Sequence, residues 1–567
     1  MPRHSRLAIL LRVGLLPLVL LGASVAGLGS YCEASDDLTL SWLFSGVVAL
    51  KPVATLPLYF HGLGYLLAGA YAAAPQVPWY GLLLGGLLAG ATVLIFAVLD
   101  KLLRPHLSPA ALALVLIVFF ALAWVEHWLW FSYVRVALLL AGAGVLFAAQ
   151  RPGRRWPILL ALAGLAVAWL MRPSQALLAL GAALPGAIAL AGSLRRALPL
   201  LLSAAVLLGL AAGLNSRTET PAEARLRQRD TQLARILDFE LLRPAPRTAA
   251  DSQGTAAINL WLLGDTALVD QTLQRGVYQF DAAAFFGRTL PAKLRLRLGL
   301  LGRDYFPLLL ALLATAVVVG RRPAGRGWFG LVQLGFVGAL LLLAGLAKLP
   351  PRLALPLLDF WLLTNLIFWL LPAGSGPGVV GEERRAMTEP AWGGRPGLRW
   401  VVVGACLLVL LAYGLKTAHR RQVLRYDQQV HLRALQALRQ IPAGTVRVLG
   451  GTNDLLKSLS PFRVASPGPG PVLLLTGWPA QDASQAELRR SLTGEVGQPQ
   501  CLARLAQPAG QGQPGPVCWV LTRPISRWLG RWRGPGGAAL TFHDLGPLVV
   551  SGDTTLRHYQ VQTVIKP

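Results

Sequence analysis

The stretch 55-TLPLYFHGLGYLLAGAYAAA-74 decides how the whole chain is read. It is apolar enough to enter a bilayer, yet Pro57, His61 and glycines 62, 64 and 69 interrupt it. If it crosses a membrane, every later crossing reverses direction. The positive-inside rule settles the choice. With the stretch held at the surface, Lys101/Arg104, Arg151/Arg154/Arg155, Arg195/Arg196, Arg321/Arg322/Arg326 and Arg384/Arg385/Arg395/Arg399 all fall on the side of the N-terminus. Only Arg172, Lys348 and Arg352 stay in the short loops opposite. Letting the stretch cross inverts that asymmetry. Residues 38–74 therefore read as helices lying at the outer interface.

Outward from this stretch the chain is a series of apolar runs. They fall near 7–28, 79–99, 109–125, 129–149, 156–171, 175–192, 197–213, 304–320, 328–347, 353–372 and 400–416. Each has about 16–22 residues, enough or nearly enough to cross a ~30 Å hydrocarbon core, so the fold class is an all-α polytopic membrane protein with about 11 spans. The first run, preceded by Arg3 and Arg6, reads as an uncleaved anchor. Composition agrees. Of the 567 residues, 54% are hydrophobic and 14% charged, against about 25% charged in soluble domains. The mean hydropathy is +0.53. A soluble enzyme, a disordered chain and a disulfide scaffold are excluded. The net charge of +27 is assigned to loops that fix orientation, so the expected partner is the lipid bilayer, with no nucleic acid.

With this parity the N-terminus is cytoplasmic and three outer segments follow: the loops 29–78 and 214–303 and the tail 417–567. Residues 1–416 form the membrane domain, with a Gly/Pro/Arg-rich cytoplasmic linker at 373–399. The tail reads as a small extracytoplasmic α/β domain. It has a helix over 419–440 and strand-like runs Val446–Leu449, Val472–Leu475, Val517–Leu521 and Leu548–Val550, separated by Gly/Pro clusters. Cys501 and Cys518 lie in this tail, and a bridge between them is open if it faces an oxidising compartment. No phosphate-binding loop, H-E-x-x-H, C-x-x-C or G-x-S-x-G motif occurs, and no internal repeat is seen.

The strongest chemical feature is Glu33-Ala-Ser-Asp36-Asp37, just outside the first span. Adjacent carboxylates stay charged most easily while holding a cation, a base or a substrate hydroxyl. The plainer reading makes Asp36 or Asp37 the N-cap of the next helix. Ser45-Gly46, Lys51-Pro52, Pro57–Gly62 and Pro75-Gln76-Val77-Pro78-Trp79-Tyr80 follow. An acidic pair after span one, then interfacial helices, then span two, resembles the GT-C superfamily of membrane glycosyltransferases, and more narrowly bacterial surface-polysaccharide proteins with an Asp-Asp first outer loop. The resemblance covers 29–80 by motif and extends to 416 as architecture.

It implies transfer of a sugar from a polyprenyl-phosphate donor to a cell-envelope glycan or lipid acceptor, at a bacterial cytoplasmic membrane. Asp36 or Asp37 would be the catalytic carboxylate, or would hold a divalent metal ion. A positioned carboxylate can accept the proton of a sugar hydroxyl as the new bond forms. The departing lipid phosphate needs cations, for which Arg172, Lys348 and Arg352 are candidates beside a snorkelling role. Arg135 and Asp359 lie inside spans, where a charge is expensive unless paired or functional. Glu126-His127, at an outer helix junction, is a second candidate for metal or substrate. In the long loop Arg225, Arg227, Arg229 and Arg235 mark a charged helix, with Arg225 and Arg229 suited to a phosphate. Thr266–Arg275 reads as another helix. Two alternatives stand beside the transferase: a polysaccharide polymerase or ligase, and a non-catalytic component of envelope polysaccharide assembly.

Overall fold

A backbone in hydrocarbon must satisfy its own polar groups, so long apolar runs become helices. In the computed structural model, which describes residues 5–266, 268–321, 326–371, 396–451, 453–507, 515–532, 539–549 and 556–564, seven helices are long and apolar enough to cross a membrane. They are Arg6–Leu28, Trp79–Leu103, Pro109–Leu129, Pro173–Ala191, Leu194–Thr218, Arg326–Leu346 and Pro351–Leu370. The chain is thus a multi-pass membrane protein. An eighth span exists if Ala282–Asp304 and Phe306–Gly320, bent by 88° at their junction, count together.

The other expected runs are helical as well. Tyr133–Ala149 and Arg155–Met171 are shorter apolar helices of 17 residues each, about 25 Å of helix. The run at 400–416 and the expected tail helix are continuous, in one helix of 44 residues, Pro396–Arg439. The deciding stretch 55–74 yields only Leu63–Ala73, 11 residues, about 16 Å of helix and too short to cross. Up to residue 395, the expected linker lies outside the described residues.

The chain divides into two compact units. One contains Met1–Ser30, Leu83–Thr220 and Leu290–Gln422. At its centre is Tyr133–Ala149, buried along almost its whole length and packed on Arg155–Met171, Pro173–Ala191 and Pro351–Leu370. Small residues allow this. A Cβ at Gly142 would strike the Phe360 ring, and one at Gly144 would come within 3.1 Å of the Ala161 Cα. Lipid gives helices little hydrophobic reason to associate, so close backbone approach must do so. Asp100, fully buried, accepts from Arg12 Nε at 2.8 Å and from Arg104, tying the first helix to Trp79–Leu103.

The second unit gathers Tyr31–Leu82, Pro221–Thr289 and Val423–Pro567. Its sheet has five strands in the order Val472–Leu474, Val446–Gly450, Val517–Thr522, Leu556–Val564, Ala539–Pro547. The first three are parallel and the last two join antiparallel. The expected strand at Leu548–Val550 is thereby corrected: the strand ends at Pro547, and residue 550 lies outside the described set. Arg447 is buried in the sheet and donates to the carbonyls of Leu438, Ile441 and Pro469, so it meets the negative end of the long helix.

The tail does not build its core alone. Leu233, Ile236, Ala257, Ile258 and Leu262 of the 221–289 segment share one apolar cluster with Val446, Val448, Leu473, Leu521 and Tyr559 of the sheet. The expected helix Thr266–Arg275 begins only at Gln271. Asp270 caps it by accepting from Leu273 N–H at 2.7 Å, and Asp265 separately accepts from Leu268 N–H at 3.2 Å. Cys501 and Cys518 are thiols and not bridged: the first sits on the Gln498–Leu505 helix and the second on a strand.

Ile258 is fully buried in the shared core, so Ile258→Ala is expected to destabilise the unit by about 2–5 kcal/mol. Limited proteolysis of the full chain would then cut both the 221–289 segment and the tail sooner. An unchanged tail would mean it folds without that segment.

Candidate functional site

The acidic turn opens the helix Ser35–Phe44, whose N-cap position is Ala34, with no side-chain cap. Asp36 and Asp37 are therefore not caps. They sit inside the first turn, where the helix dipole favours negative charge. Their environments differ. Asp37 is wholly buried, and its Oδ1 accepts from the Tyr80 hydroxyl at 2.9 Å. Asp36 is half-buried, and its Oδ1 accepts from Trp478 Nε1 at 3.3 Å.

Packing explains the difference. Phe44, Phe60 and Tyr80 form an aromatic cluster with centroids 5.3–6.3 Å apart. The Tyr71 hydroxyl lies 3.1 Å from Ser41 Oγ and accepts the Tyr80 N–H at 3.1 Å. Burial pushes that hydroxyl's pKa up, against the opposing effect of these bonds. Gly46 has φ +74, and a Cβ there would stand 2.9 Å from Pro52 N, so the Ser45-Gly46 turn requires glycine. The loop is pinned to the tail by Trp42 Nε1 donating to the Ala465 carbonyl at 2.6 Å and by Cys32 N–H donating to Leu459 at 2.8 Å. Burial raises the Cys32 thiol well above its ordinary value, and the charge of Asp37 raises it further.

Trp478 connects Asp36 to a small gap lined by Leu56, Pro57, Tyr59, Leu226, Trp478 and Gln481. Tyr59 and Trp478 meet edge to face at 5.2 Å. The gap has a volume of about 10 Å³, room for one water. Asp482 also borders it, but its carboxylate already accepts from Ser484 N–H at 2.9 Å and Ser484 Oγ at 2.6 Å. Burial raises the pKa of Asp482, partly offset by those bonds.

A second polar cluster lies within the other unit. Glu126 is 1% exposed and accepts from Lys416 Nζ at 2.7 Å and Arg420 Nη1 at 2.8 Å. Asp304 joins through Arg420 Nη2 at 3.2 Å, and its carbonyl accepts from Lys416. His127 stands between Asp359, whose Oδ2 is 2.7 Å from Nε2, and Arg135, whose Nη1 is 3.4 Å from Nδ1. This geometry assigns the neutral tautomer with the proton on Nε2, because Arg135 can only donate. Trp130 lies under both guanidinium groups, Arg420 at 4.7 Å and Arg135 at 5.8 Å. Three cations and three carboxylates thus compensate one another. Sequence reasoning found Glu126-His127 as one candidate and Arg135 and Asp359 as another, but did not join the two. It missed Lys416, Arg420 and Asp304, which only tertiary contact brings to them.

The remaining cations are dispersed. Arg172 is half-buried and donates to the Tyr133 hydroxyl at 3.1 Å. Lys348 and Arg352 are half-buried at the short loop before Pro351–Leu370. Arg225 is exposed, whereas Arg229 donates to Gln481, and burial lowers its pKa. Among the described residues no three His, Cys, Asp or Glu side chains converge on a metal-sized site. The oxygens of Glu126 are already held by Lys416 and Arg420. Compared with protein-family models, curated proteins and solved structures, the chain matches none, so its function is read from its own residues.

Glu126→Gln removes the carboxylate that two cations share. It is expected to lower stability by about 3–5 kcal/mol, read as the unfolding midpoint of purified protein in detergent. Adding Arg420→Gln should recover part of the loss, because one unmatched charge is then gone. Additive losses in the double variant would show that the two groups do not interact.

Proposed function

We propose that this chain is an integral-membrane glycosyltransferase of GT-C type. It moves a sugar from a polyprenyl-phosphate donor to a cell-envelope glycan or lipid acceptor at the bacterial cytoplasmic membrane. The observation that supports this reading is the Asp36–Trp478 contact. It puts a half-exposed carboxylate of the first expected outer loop against an aromatic wall contributed by the tail. Aromatic faces suit the apolar face of a sugar ring, and a carboxylate suits its hydroxyls.

Burial divides the acidic pair by role. Asp36 is the base: its carboxylate takes the proton of the acceptor hydroxyl while that oxygen bonds the anomeric carbon and the lipid phosphate leaves with its electron pair. Asp37, closed in by Tyr80 and the aromatic cluster, is a positioning residue that holds the turn. The phosphate departs unprotonated where cations meet it. No step is routed through a metal. The proposal keeps the N-terminus cytoplasmic and the loops 29–78 and 214–303 and the tail 417–567 outside.

A polymerase or ligase is the second reading. The arginine-rich helix Pro221–Leu233 favours it, since such enzymes act on the same lipid-linked class through outer-loop cations.

The test uses full-length protein in nanodiscs with a panel of polyprenyl-phosphate sugars. One donor should raise the unfolding midpoint, as any ligand selective for the native state must. Asp36→Asn should cut transfer from that donor by about 10²–10⁴-fold at unchanged expression. Asp37→Asn should lose stability before it loses chemistry. Normal transfer by both variants would remove the acidic turn from the mechanism, and no midpoint shift with any donor would point to an assembly role.

A further inference from the structure

The helix Pro221–Leu233 and its continuation Ala234–Asp238 serve two neighbours. Leu226 and Arg229 turn toward Trp478 and Gln481. Arg227, Thr231 and Arg235 recur at four-residue spacing, and Gln228, Gln232 and Arg235 at four and three, so they share another face. This face forms one wall of a cleft of about 560 Å³, and Gln274 and Arg275 stand on the other wall. That volume lies within the range of small-molecule sites. No carboxylate is among the residues lining it.

The rim and the floor differ chemically. Arg227, Arg235 and Arg275 are exposed, which gives the mouth three permanent positive charges. Gln274 is wholly buried, and among the described residues neither its Oε1 nor its Nε2 has a hydrogen-bond partner. Burying an amide this way costs the desolvation of each unsatisfied group. A side chain that only packed would be better apolar. A cation rim over an amide that offers both donor and acceptor matches a ligand with an anionic group and hydroxyls.

We propose that this cleft binds an acidic carbohydrate, a sugar carrying a carboxylate or a phosphate. Guanidinium forks pair with carboxylate and phosphate oxygens two at a time. The Gln274 amide gives one bond to a hydroxyl and takes one from it. A membrane surface would satisfy the arginines without reaching the amide, so a sugar uses the whole cleft and a lipid headgroup does not. The inference concerns binding and stands whether or not the chain transfers sugar.

The test is calorimetric titration of the full-length protein in nanodiscs of zwitterionic lipid. The probes are a glucuronate oligosaccharide, a hexose phosphate, a neutral oligosaccharide of equal length and inorganic phosphate. At least one acidic sugar should bind about tenfold or more tighter than the neutral one and than phosphate. Arg235→Gln with Arg275→Gln should weaken it by about tenfold or more, and added salt should weaken it too. Gln274→Leu should weaken it by about fivefold or more while holding or raising the unfolding midpoint, since an unsatisfied amide is gone. Equal binding of phosphate would reduce the cleft to a bare anion site and overturn the proposal. So would failure of both acidic sugars, or affinity that appears only with anionic lipid. A lowered midpoint in Gln274→Leu with sugar binding intact would assign the amide to packing and overturn it equally.

Discussion

Hydrocarbon offers a peptide group nothing to bond, and that constraint arranges this chain. Every long apolar run becomes a helix because only a helix satisfies its backbone from within. Polar segments that cannot do so must fold outside. Here the 221–289 segment and the tail make one core together, with Ile258 and Leu262 in one apolar cluster with Val448 and Leu473. Surface-to-volume scaling explains why they combine: a short segment buries too little of its surface to be stable alone. The acidic turn is held by the same assembly, since Trp42 and Cys32 bond to backbone carbonyls of the tail.

Within the helical unit the same constraint applies to side chains. An ionised group away from water must find its opposite, and Glu126 finds Lys416 and Arg420 almost 300 residues later. His127 accommodates Asp359 and Arg135 by being neutral, donor on one side and acceptor on the other. Such a network adds little to net stability compared with an apolar replacement, yet it breaks sharply when one member is removed. Its role is therefore to fix which helices meet, in a unit where glycine contacts such as Gly142 against Phe360 supply the close packing.

The helices were legible because hydrophobicity is a local signal. The alternation of apolar and turn residues also marked the strands at 446, 472 and 517. The strands Ala539–Pro547 and Leu556–Val564 were not legible. They carry exposed polar residues such as His543, Asp544 and Gln560 at the outer side of the sheet, so burial leaves no simple imprint. The helix at 271 was placed too early because two aspartates each cap a separate turn, and capping outweighs propensity. At the candidate site, Asp36 and Asp37 stood out as a pair. Their different burial, Tyr80 as one partner and Trp478 as the other, had no local signature. The same holds for Lys416 and Arg420, which in sequence look like ordinary interfacial cations after a span.

The geometry around Asp36 limits how any sugar could reach it. The adjoining gap holds no more than a water, so a ring enters that gap only if its aromatic wall moves. Trp478 is the side chain placed to do this. It opens a short turn, Trp478–Gln481, after Gly477 at φ +82, and its 3.3 Å bond to Asp36 is long for an N–H to a carboxylate. Breaking that one bond costs about 1.5–3 kcal/mol before any replacement forms, and an acceptor hydroxyl donating to Asp36 would restore most of it. Asp37 has no such exit, because Tyr80 belongs to the long Trp79–Leu103 helix and is packed by Phe44 and Phe60. Of two adjacent carboxylates, then, one is fixed by a helix and the other is covered by a residue on a turn. That asymmetry is what a reacting carboxylate beside a structural one requires, whereas a helix terminus needing only negative charge would be served by two equivalent groups.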